Sequence, residues 1–211
     1  MARLKPHSPV FRAIIFDLGR VIVPFDFERG YRQLSALCSM NTQEIRARIG
    51  ATGLVNEFET GLIEPEPFVS QIVEALGIRM ELPEFSRIWN SIFLPETLIP
   101  ESLLIGLRRH YRLLLLSNTN AIHFSGLEKE YPLLRHFDHL ILSYKVRVMK
   151  PDPAIYLHAA RQAGCAPAEC LFIDDLPENA KGAERAGMAA LVFNSAEQLM
   201  LDFARLGIRC A

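Results

Sequence analysis

The sequence predicts an α/β fold in which helices flank a parallel sheet, with a smaller helical region inserted after the first strand. Two patterns indicate this fold. From residue 101 onward, short apolar runs alternate with segments of helical character, and such alternation is typical of a parallel sheet with right-handed crossovers. Between residues 26 and 98, the pattern instead indicates several short helices and no strand. At 211 residues, the chain is long enough for one core and a sizeable insertion.

The first strand and the inserted region have distinct local signals. A continuous apolar run predicts a strand over residues 11–16, buried on both faces of the sheet. Within the insertion, Asn41 and Glu44 have the spacing of a capping box at a helix start. Gly50 and Gly61 are expected just past helix ends, where glycine is favoured. We therefore expect a core domain from residues 1–24 and 99–211, and a helical cap domain from residues 25–98.

The remaining elements follow the cap in regular alternation. Asp152 and Pro153 are expected at the start of one of these helices, as an N-cap followed by proline at the first helical position. Strands are predicted over residues 112–116, 139–142, 170–173 and 189–193. Helices are predicted over residues 101–110, 121–131, 153–163 and 178–186, with a last helix from about residue 196.

Composition excludes several classes of protein. The formal net charge is −1 and the pI is about 6.6, so nothing indicates a nucleic-acid or anionic-membrane partner. No apolar run approaches the roughly 18 residues of a membrane helix, and residues 1–9 lack the apolar segment of a signal peptide. The four cysteines form no C-x-x-C pair. We expect a cytoplasmic protein with reduced thiols; no pattern sets its oligomeric state.

Four short polar segments carry the chemistry. Three of them follow or end an apolar run that predicts a buried strand, and the carboxyl ends of parallel strands converge on one crevice. That crevice would hold an aspartate, a serine, a lysine and an acidic pair, a set that suits phosphoryl transfer through an aspartyl-phosphate with a divalent metal. The segments are Phe16-Asp17-Leu18-Gly19, Leu116-Ser117-Asn118-Thr119, Met149-Lys150-Pro151 and Ile173-Asp174-Asp175.

The order and spacing of these segments resemble the haloacid dehalogenase (HAD) superfamily, over nearly the whole chain. The similarity is greatest to the branch with F-D-L-G at the first motif, typified by alpha-glucose-1-phosphate phosphatase. The resemblance implies a HAD-like, Rossmann-like core with its helical cap after the first strand. It also implies a Mg²⁺-dependent phosphatase acting on a small phosphorylated metabolite, for example a sugar phosphate.

The first and last motifs would supply the nucleophile and the metal ligands. Asp17 is expected to attack phosphorus, and Gly19 to offer its backbone carbonyl to the metal. Asp174 and Asp175 repel each other unless a cation lies between them, and Mg²⁺ suits such carboxylates. Asp175 also has capping-box spacing to the acid three residues on, so a helix cap is a second interpretation, one that is compatible with metal binding. Asn179 is expected to orient the acidic pair, or to be an ordinary helix-face residue.

The middle motifs would hold the phosphoryl group. The Ser117 hydroxyl and a backbone N–H near Asn118 are expected to bind phosphate oxygens; the alternative is that both residues cap the following helix. Lys150 is expected to clamp phosphate and to pair with Asp17, the alternative being a solvated lysine.

One position departs from the usual pattern of the superfamily. Most of its phosphatases carry an aspartate, acting as general acid and base, two residues after the nucleophile. Here Gly19 stands there, followed by Arg20, and such a group is generally worth about 10²- to 10⁴-fold. Asp26 is a candidate replacement if the loop folds back; otherwise it is a turn residue at the cap hinge. Arg20 and Asp26 are both candidates for substrate contact, and Gly19→Asp is expected to speed turnover of alkyl phosphates if the side chain fits.

Other functions and the substrate remain open at this level. A phosphomutase or phosphotransferase would use the same intermediate, and a catalytically weak binding or regulatory protein could have kept the fold. A dehalogenase is disfavoured because it has no use for a phosphate-binding set. The cap residues Phe58, Glu59, Trp89 and Asn90 are candidates for choosing the substrate, although an apolar cap core explains the aromatic ones equally well. His123, close to the second motif, is expected to be an ordinary, partly exposed histidine; the alternative is that it contacts the substrate.

Overall fold

Five parallel strands form the central sheet of this computed structural model, which describes residues 10–211; the segment in which no signal peptide is expected lies outside that range. The strands are β1 (Ala13–Phe16), β2 (Arg112–Ser117), β3 (His139–Leu142), β4 (Cys170–Asp174) and β5 (Ala189–Val192). Their order across the sheet is β3-β2-β1-β4-β5. Because β1 lies between β2 and β4, the carboxyl ends of these three strands are neighbours.

Burial on both faces explains why these apolar runs form strands. Ile14 and Phe16 pack into one hydrophobic cluster, while Ala13 and Ile15 pack into a second cluster on the opposite face. Successive side chains of a strand point to opposite faces, so an uninterrupted apolar run fits a strand covered on both sides. Every predicted strand is confirmed to within two residues at its ends.

The inserted region consists of five helices around a hydrophobic core of its own. They are α1 (Phe27–Ser35), α2 (Thr42–Thr52), α3 (Leu54–Glu59), α4 (Pro65–Leu76) and α5 (Leu82–Asn90). The capping box of Asn41 and Glu44 is confirmed. The expectation for Gly50 is wrong: α2 runs through it and ends where Gly53 adopts a positive φ of 71°. Gly61 does follow a helix end, with a φ of 66°.

Six further α-helices of residues 10–211 flank the sheet. Asp152 caps the helix that follows it by accepting a hydrogen bond from the Ala154 N–H at 2.8 Å, and Pro153 is its first residue, as predicted. Within residues 10–211, all four cysteines are unpaired and no helix is long and apolar enough to span a bilayer. The helices are α6 (Glu101–Arg108), α7 (Ala121–Glu130), α8 (Ser143–Val146), α9 (Pro153–Ala163), α10 (Pro177–Arg185) and α11 (Ala196–Leu206).

Two antiparallel segments link the helical insertion to the sheet. The Leu98 N–H donates to the carbonyl of Ile22 at 2.8 Å, and the Asp26 N–H donates to the carbonyl of Ile92 at 2.8 Å. Farther along, the chain after α3 lies directly on α8, since a Cβ atom on Gly61 would be 2.0 Å from the carbonyl oxygen of Tyr144. The insertion is therefore fixed to the core at the linking segments and again at α8.

Candidate active site

A buried ion-pair triad lies at the carboxyl ends of β1 and β4. Asp17 directly follows β1, and Asp174 is the last residue of β4. The Nζ atom of Lys150 is 2.6 Å from Oδ1 of Asp17 and 2.7 Å from Oδ2 of Asp174. The exposed fractions of Asp17, Lys150 and Asp174 are 7%, 5% and 0%. Lys150 therefore pairs with Asp17, as predicted, and the alternative of a solvated lysine is wrong.

The pKa values of Asp17 and Lys150 depend on the opposing effects of burial and of neighbouring charges. Burial raises the pKa of Asp17 to about 7; the Lys150 ammonium opposes this rise and the Asp174 carboxylate adds to it. Burial also acts against the charge on Lys150, but its two carboxylate partners outweigh burial and raise the pKa of the ammonium above its usual range. Lys150 thus stays charged at neutral pH. Further positive charge near Asp17 would favour its ionised form.

An oxygen-only donor set suited to a divalent cation surrounds the triad. One carboxylate oxygen from each of Asp17, Asp174 and Asp175 lies within 4.8 Å of the others. Three carboxylates so close together repel one another, and hard cations such as Mg²⁺ favour oxygen ligands of this kind. Burial, with the neighbouring Asp174 carboxylate second, raises the pKa of Asp175. The residues present therefore fit a magnesium ion.

Asp174 is oriented by neighbours on the following turn and helix. Its Oδ1 accepts a hydrogen bond from the Leu176 N–H at 2.9 Å, and the amide of Asn179 donates to both carboxylate oxygens at 3.0 and 3.1 Å. The carbonyl of Asn179 in turn accepts from the Tyr156 hydroxyl at 2.8 Å. Asn179 therefore contacts one member of the acidic pair. The helix-cap alternative for Asp175 is wrong, because Leu176 occupies the N-cap of α10 and no side chain caps it.

The segment after β2 holds the lysine loop in place. The Asn118 side chain donates to the carbonyl of Lys150 at 3.0 Å and accepts from its N–H at 2.9 Å. Asn120, which lies just past the second of the four motifs, caps α7 by accepting a hydrogen bond from the His123 N–H. The helix-cap alternative for Ser117 and Asn118 is therefore wrong. Ser117 lines the cavity, and the contact of its hydroxyl with the Asn118 carbonyl is long at 3.4 Å.

These groups open into a cavity of about 210 Å³ between the sheet and the helical insertion. Asp17, Ser117, Lys150 and Asp175 line its polar floor. The rest of its wall is largely apolar and includes five residues that the sequence analysis did not single out. A single sequence does not indicate which apolar side chains meet at a cavity. The five residues are Phe25, Phe27, Ile92, Phe93 and Leu127.

Phe25 fills the space beside Gly19. A Cβ atom built on Gly19 would lie 2.8 Å from Cε1 of the Phe25 ring. The guanidinium of Arg20 lies 4.8 Å from the centre of the same ring, and Arg20 also lines the cavity. An aspartate at position 19 therefore fits only if Phe25 moves, which revises the expectation for Gly19→Asp.

Asp26 lies away from the chemistry. Its side chain caps α1 by accepting a hydrogen bond from the Glu28 N–H at 3.0 Å. It is exposed, and it is absent from the residues that line the cavity. The structure thus contradicts a substrate-contacting or proton-donating Asp26 and supports the alternative of a turn residue at the cap hinge.

Two of the cap residues and His123 form the contact between α5 and α7. His123 is buried, not partly exposed as expected, and burial lowers its pKa to about 3. Its ring stacks on Trp89 with 5.5 Å between centroids. The Asn90 amide donates to the Ile122 carbonyl, which leaves Oδ1 of Asn90 3.1 Å from Nδ1 of His123 as the acceptor. We assign the neutral tautomer with the proton on Nδ1 from this network.

The other two cap candidates differ from each other. Phe58 is 1% exposed and stacks on Phe68 inside the cap, so it contributes to the cap core and does not reach the cavity. Glu59, the next residue, lines the cavity together with Asp17 and Lys150. The sequence therefore identified one cap residue that faces the reacting groups.

The fold and the site together define a class of protein. A parallel α/β core, an aspartate after the first strand, a lysine between two carboxylates and a helical insertion over the strand ends are the features of HAD-type hydrolases. The family model described as "Hydrolase: haloacid dehalogenase-like hydrolase" matches residues 7–187 of the chain. The chain belongs to this family.

Several relatives of the chain are named as phosphatases. D-ribitol-5-phosphate phosphatase from Bacteroides thetaiotaomicron is 29% identical over 81% of this chain and 85% of its own. Sesquiterpene phosphatase astK from Aspergillus oryzae is 27% identical, over 86% and 89% of the two chains. The crystal structure of a wild-type HAD family enzyme from Bacteroides thetaiotaomicron, in complex with magnesium and inorganic phosphate, has a TM-score of 0.78 and 29% identity, covering 88% of this chain and 95% of that one. The chain is a hydrolase of the HAD superfamily of the phosphatase type.

Proposed function

We propose that this chain is a Mg²⁺-dependent phosphatase that hydrolyses a small phosphorylated metabolite, for example a sugar phosphate, with Asp17 as the nucleophile. One observation carries the proposal: Asp17, Ser117, Lys150 and Asp175 line one cavity, with the Asp17 carboxylate 2.6 Å from the Lys150 ammonium. The magnesium and inorganic phosphate bound in the related crystal structure support the same reaction class.

The reaction has two displacements at phosphorus. In the first, a carboxylate oxygen of Asp17 attacks phosphorus, the bond between phosphorus and the leaving oxygen breaks, and a mixed anhydride forms on Asp17. In the second, water attacks the same phosphorus, the bond to Asp17 breaks, and inorganic phosphate is released. Lys150 and the Ser117 hydroxyl bind the phosphoryl oxygens and offset the charge that builds up on them.

Magnesium would be held by the carboxylates of Asp17, Asp174 and Asp175 and by the backbone carbonyl of Gly19. When bound, it supplies charge neutralisation to the transferring group. Asn179 orients Asp174 through two hydrogen bonds, and its loss would loosen the site without removing a ligand.

Residues 25–98 act, in this proposal, as a cap domain on a core of residues 1–24 and 99–211. The core supplies the phosphoryl site, while the apolar wall and Glu59 contact the leaving group. The differing substrates of the two named relatives are consistent with a phosphoryl site shared across the family and a leaving-group site that varies.

Hydrolysis of an aryl phosphate by the purified protein tests the proposal. We expect turnover that requires Mg²⁺ or Mn²⁺, disappears in chelator and is lost in Asp17→Asn. Asp202→Asn, on the remote helix α11, is the matched control and should retain wild-type turnover. Metal-independent hydrolysis, or an Asp17→Asn variant with wild-type turnover, would contradict the proposal. A screen of phosphorylated metabolites under the same conditions then identifies the substrate.

A further inference from the structure

The proposed reaction needs a proton donor, and the usual position for one is closed. Phe25 fills the space that a side chain on Gly19 would occupy, and Asp26 is exposed and caps α1. A phosphatase that expels an alcohol without an acid loses about 10²- to 10⁴-fold in rate. The proposed reaction therefore calls for another titratable group that faces the cavity.

Three other titratable groups at the cavity are already committed. Lys150 is held between two carboxylates at 2.6 and 2.7 Å. His123 is neutral and donates its one proton to Asn90. Asp175 belongs to the acidic cluster that fits the metal. The guanidinium of Arg20 does not release a proton in a protein. None of these groups can both give and accept a proton at the leaving oxygen.

Glu59 is placed differently from all of them. It is the last residue of α3 and is largely buried. It lines the catalytic cavity and also a second, mostly apolar cavity of about 120 Å³ inside the cap. Within the described part of the chain, its carboxyl group has no hydrogen-bond or ion-pair partner. Glu59 lines both cavities, together with Phe27, Ile92 and His123, so a leaving group that extends from the phosphoryl site into the cap would pass this carboxyl group.

The backbone holds Glu59 at this position. Gly61, two residues later, has a φ of 66°, and its Cα lies so close to α8 that a Cβ atom would be 2.0 Å from the Tyr144 carbonyl oxygen. The close backbone approach requires glycine here, and the left-handed conformation favours it. The end of α3 is thus anchored to the core, which limits the freedom of Glu59.

The surroundings of Glu59 keep a substantial fraction of its carboxyl group protonated near neutral pH. Burial raises the pKa of its carboxyl group to about 7, and no charged neighbour contributes. Burial also raises the pKa of Tyr31, which stays neutral, and α2 and α4 carry their charged side chains at exposed positions. The titratable groups that share its cavities are Asp17, Arg20, Tyr31, His123, Lys150 and Asp175, and α8 adds Tyr144 and Lys145.

We infer that Glu59, supplied by the cap, is the general acid and base of the proposed phosphatase reaction; the inference rests on that reaction. As Asp17 attacks phosphorus and the bond to the leaving oxygen breaks, the Glu59 carboxyl proton moves to that oxygen. The resulting Glu59 carboxylate then takes a proton from the water that attacks the aspartyl-phosphate. Glu59 ends protonated, Asp17 is regenerated, and atoms and charges balance.

A series of substituted phenyl phosphates, from 4-nitro to 4-methoxy, tests the inference, because these substrates differ in leaving-group basicity at nearly constant shape. Wild type should show only a weak dependence of kcat/KM on leaving-group basicity. In Glu59→Gln, which keeps the side-chain shape, the rate should fall about 10²-fold or more for the most basic phenol and less than about 10-fold for 4-nitrophenol. The alkaline limb of the pH profile of kcat/KM should also disappear in this variant.

Glu57→Gln, an exposed neighbour on α3, is the matched control and should keep the wild-type dependence. Circular dichroism confirms that each variant is folded. If Glu59→Gln loses nothing, or loses the same factor with every phenyl phosphate, Glu59 is not the acid, although the proposed phosphatase reaction stands. If wild type shows no metal-dependent hydrolysis of any of these esters, the proposed function fails and the inference fails with it.

Discussion

Gly19→Asp introduces the carboxyl group that most phosphatases of the superfamily carry, and the structure predicts that it harms this protein. The new Cβ would lie 2.8 Å from the Phe25 ring, and the ring also stacks against Arg20 at 4.8 Å. Overpacking generally costs about 1–3 kcal/mol, and an exposed cation–π contact is worth roughly 0.5–1 kcal/mol. Since Phe25 is only partly buried and can shift, we expect the free energy of unfolding to fall by about 1–2 kcal/mol.

A double-mutant cycle isolates the clash. Gly19→Asp, Phe25→Ala and the double variant are compared by urea denaturation and by turnover of an alkyl phosphate. In the double variant, the penalty for the aspartate should shrink by about 1 kcal/mol or more, and alkyl-phosphate turnover should exceed that of Phe25→Ala alone. If Gly19→Asp alone is as stable as wild type and faster on alkyl phosphates, Phe25 does not block this position.

Three further predictions concern the triad, the cap contact and pH. Lys150→Met leaves two buried carboxylates without their cation, so it should lower the free energy of unfolding, measured in urea, by about 3 kcal/mol. It should also abolish turnover; near-wild-type turnover would contradict a role for Lys150 in phosphate binding. Gly61→Ala should push the segment after α3 away from the Tyr144 carbonyl, which should lower kcat/KM and speed proteolysis at the linking segments. Unchanged kcat/KM and an unchanged proteolysis rate would show that the contact between this segment and α8 is loose. The pKa of Glu59 in the folded protein, about 7, lies above its ordinary 4.5, so its contribution to the free energy of unfolding is present below pH 4.5 and is lost as pH rises to about 7. Glu59→Gln should flatten that part of the plot of stability against pH, by at most about 3 kcal/mol. An unchanged slope would refute the pKa shift.

The strands and motif positions could be predicted from the sequence because they depend on local pattern. A run such as residues 13–16, apolar at every position, fits a strand covered on both faces, and both faces are indeed covered. The polar residues that follow such runs then meet because parallel strands share one carboxyl edge. Asp17 and Asp174 come together for this reason.

What the sequence left open or predicted wrongly depends on packing between distant segments. Lys150 is buried because Asn118, 32 residues away, anchors its backbone, and His123 is buried because α5 of the cap covers it. The end of α2 was also predicted wrongly, because two nearby glycines could each end it: the helix continues through Gly50 and ends at Gly53. No pattern within a single segment carries this information.

Acid-quench labelling of the phosphoenzyme is the most direct test of Asp17 as the nucleophile. The protein is mixed with Mg²⁺ and a phosphoryl-labelled aryl phosphate, quenched within milliseconds, digested and mapped by mass spectrometry. We expect a phosphoryl group on the peptide that contains Asp17, formed and lost at rates consistent with turnover and absent in chelator. Steady hydrolysis without any label on that peptide, or with the label on another residue, would contradict it.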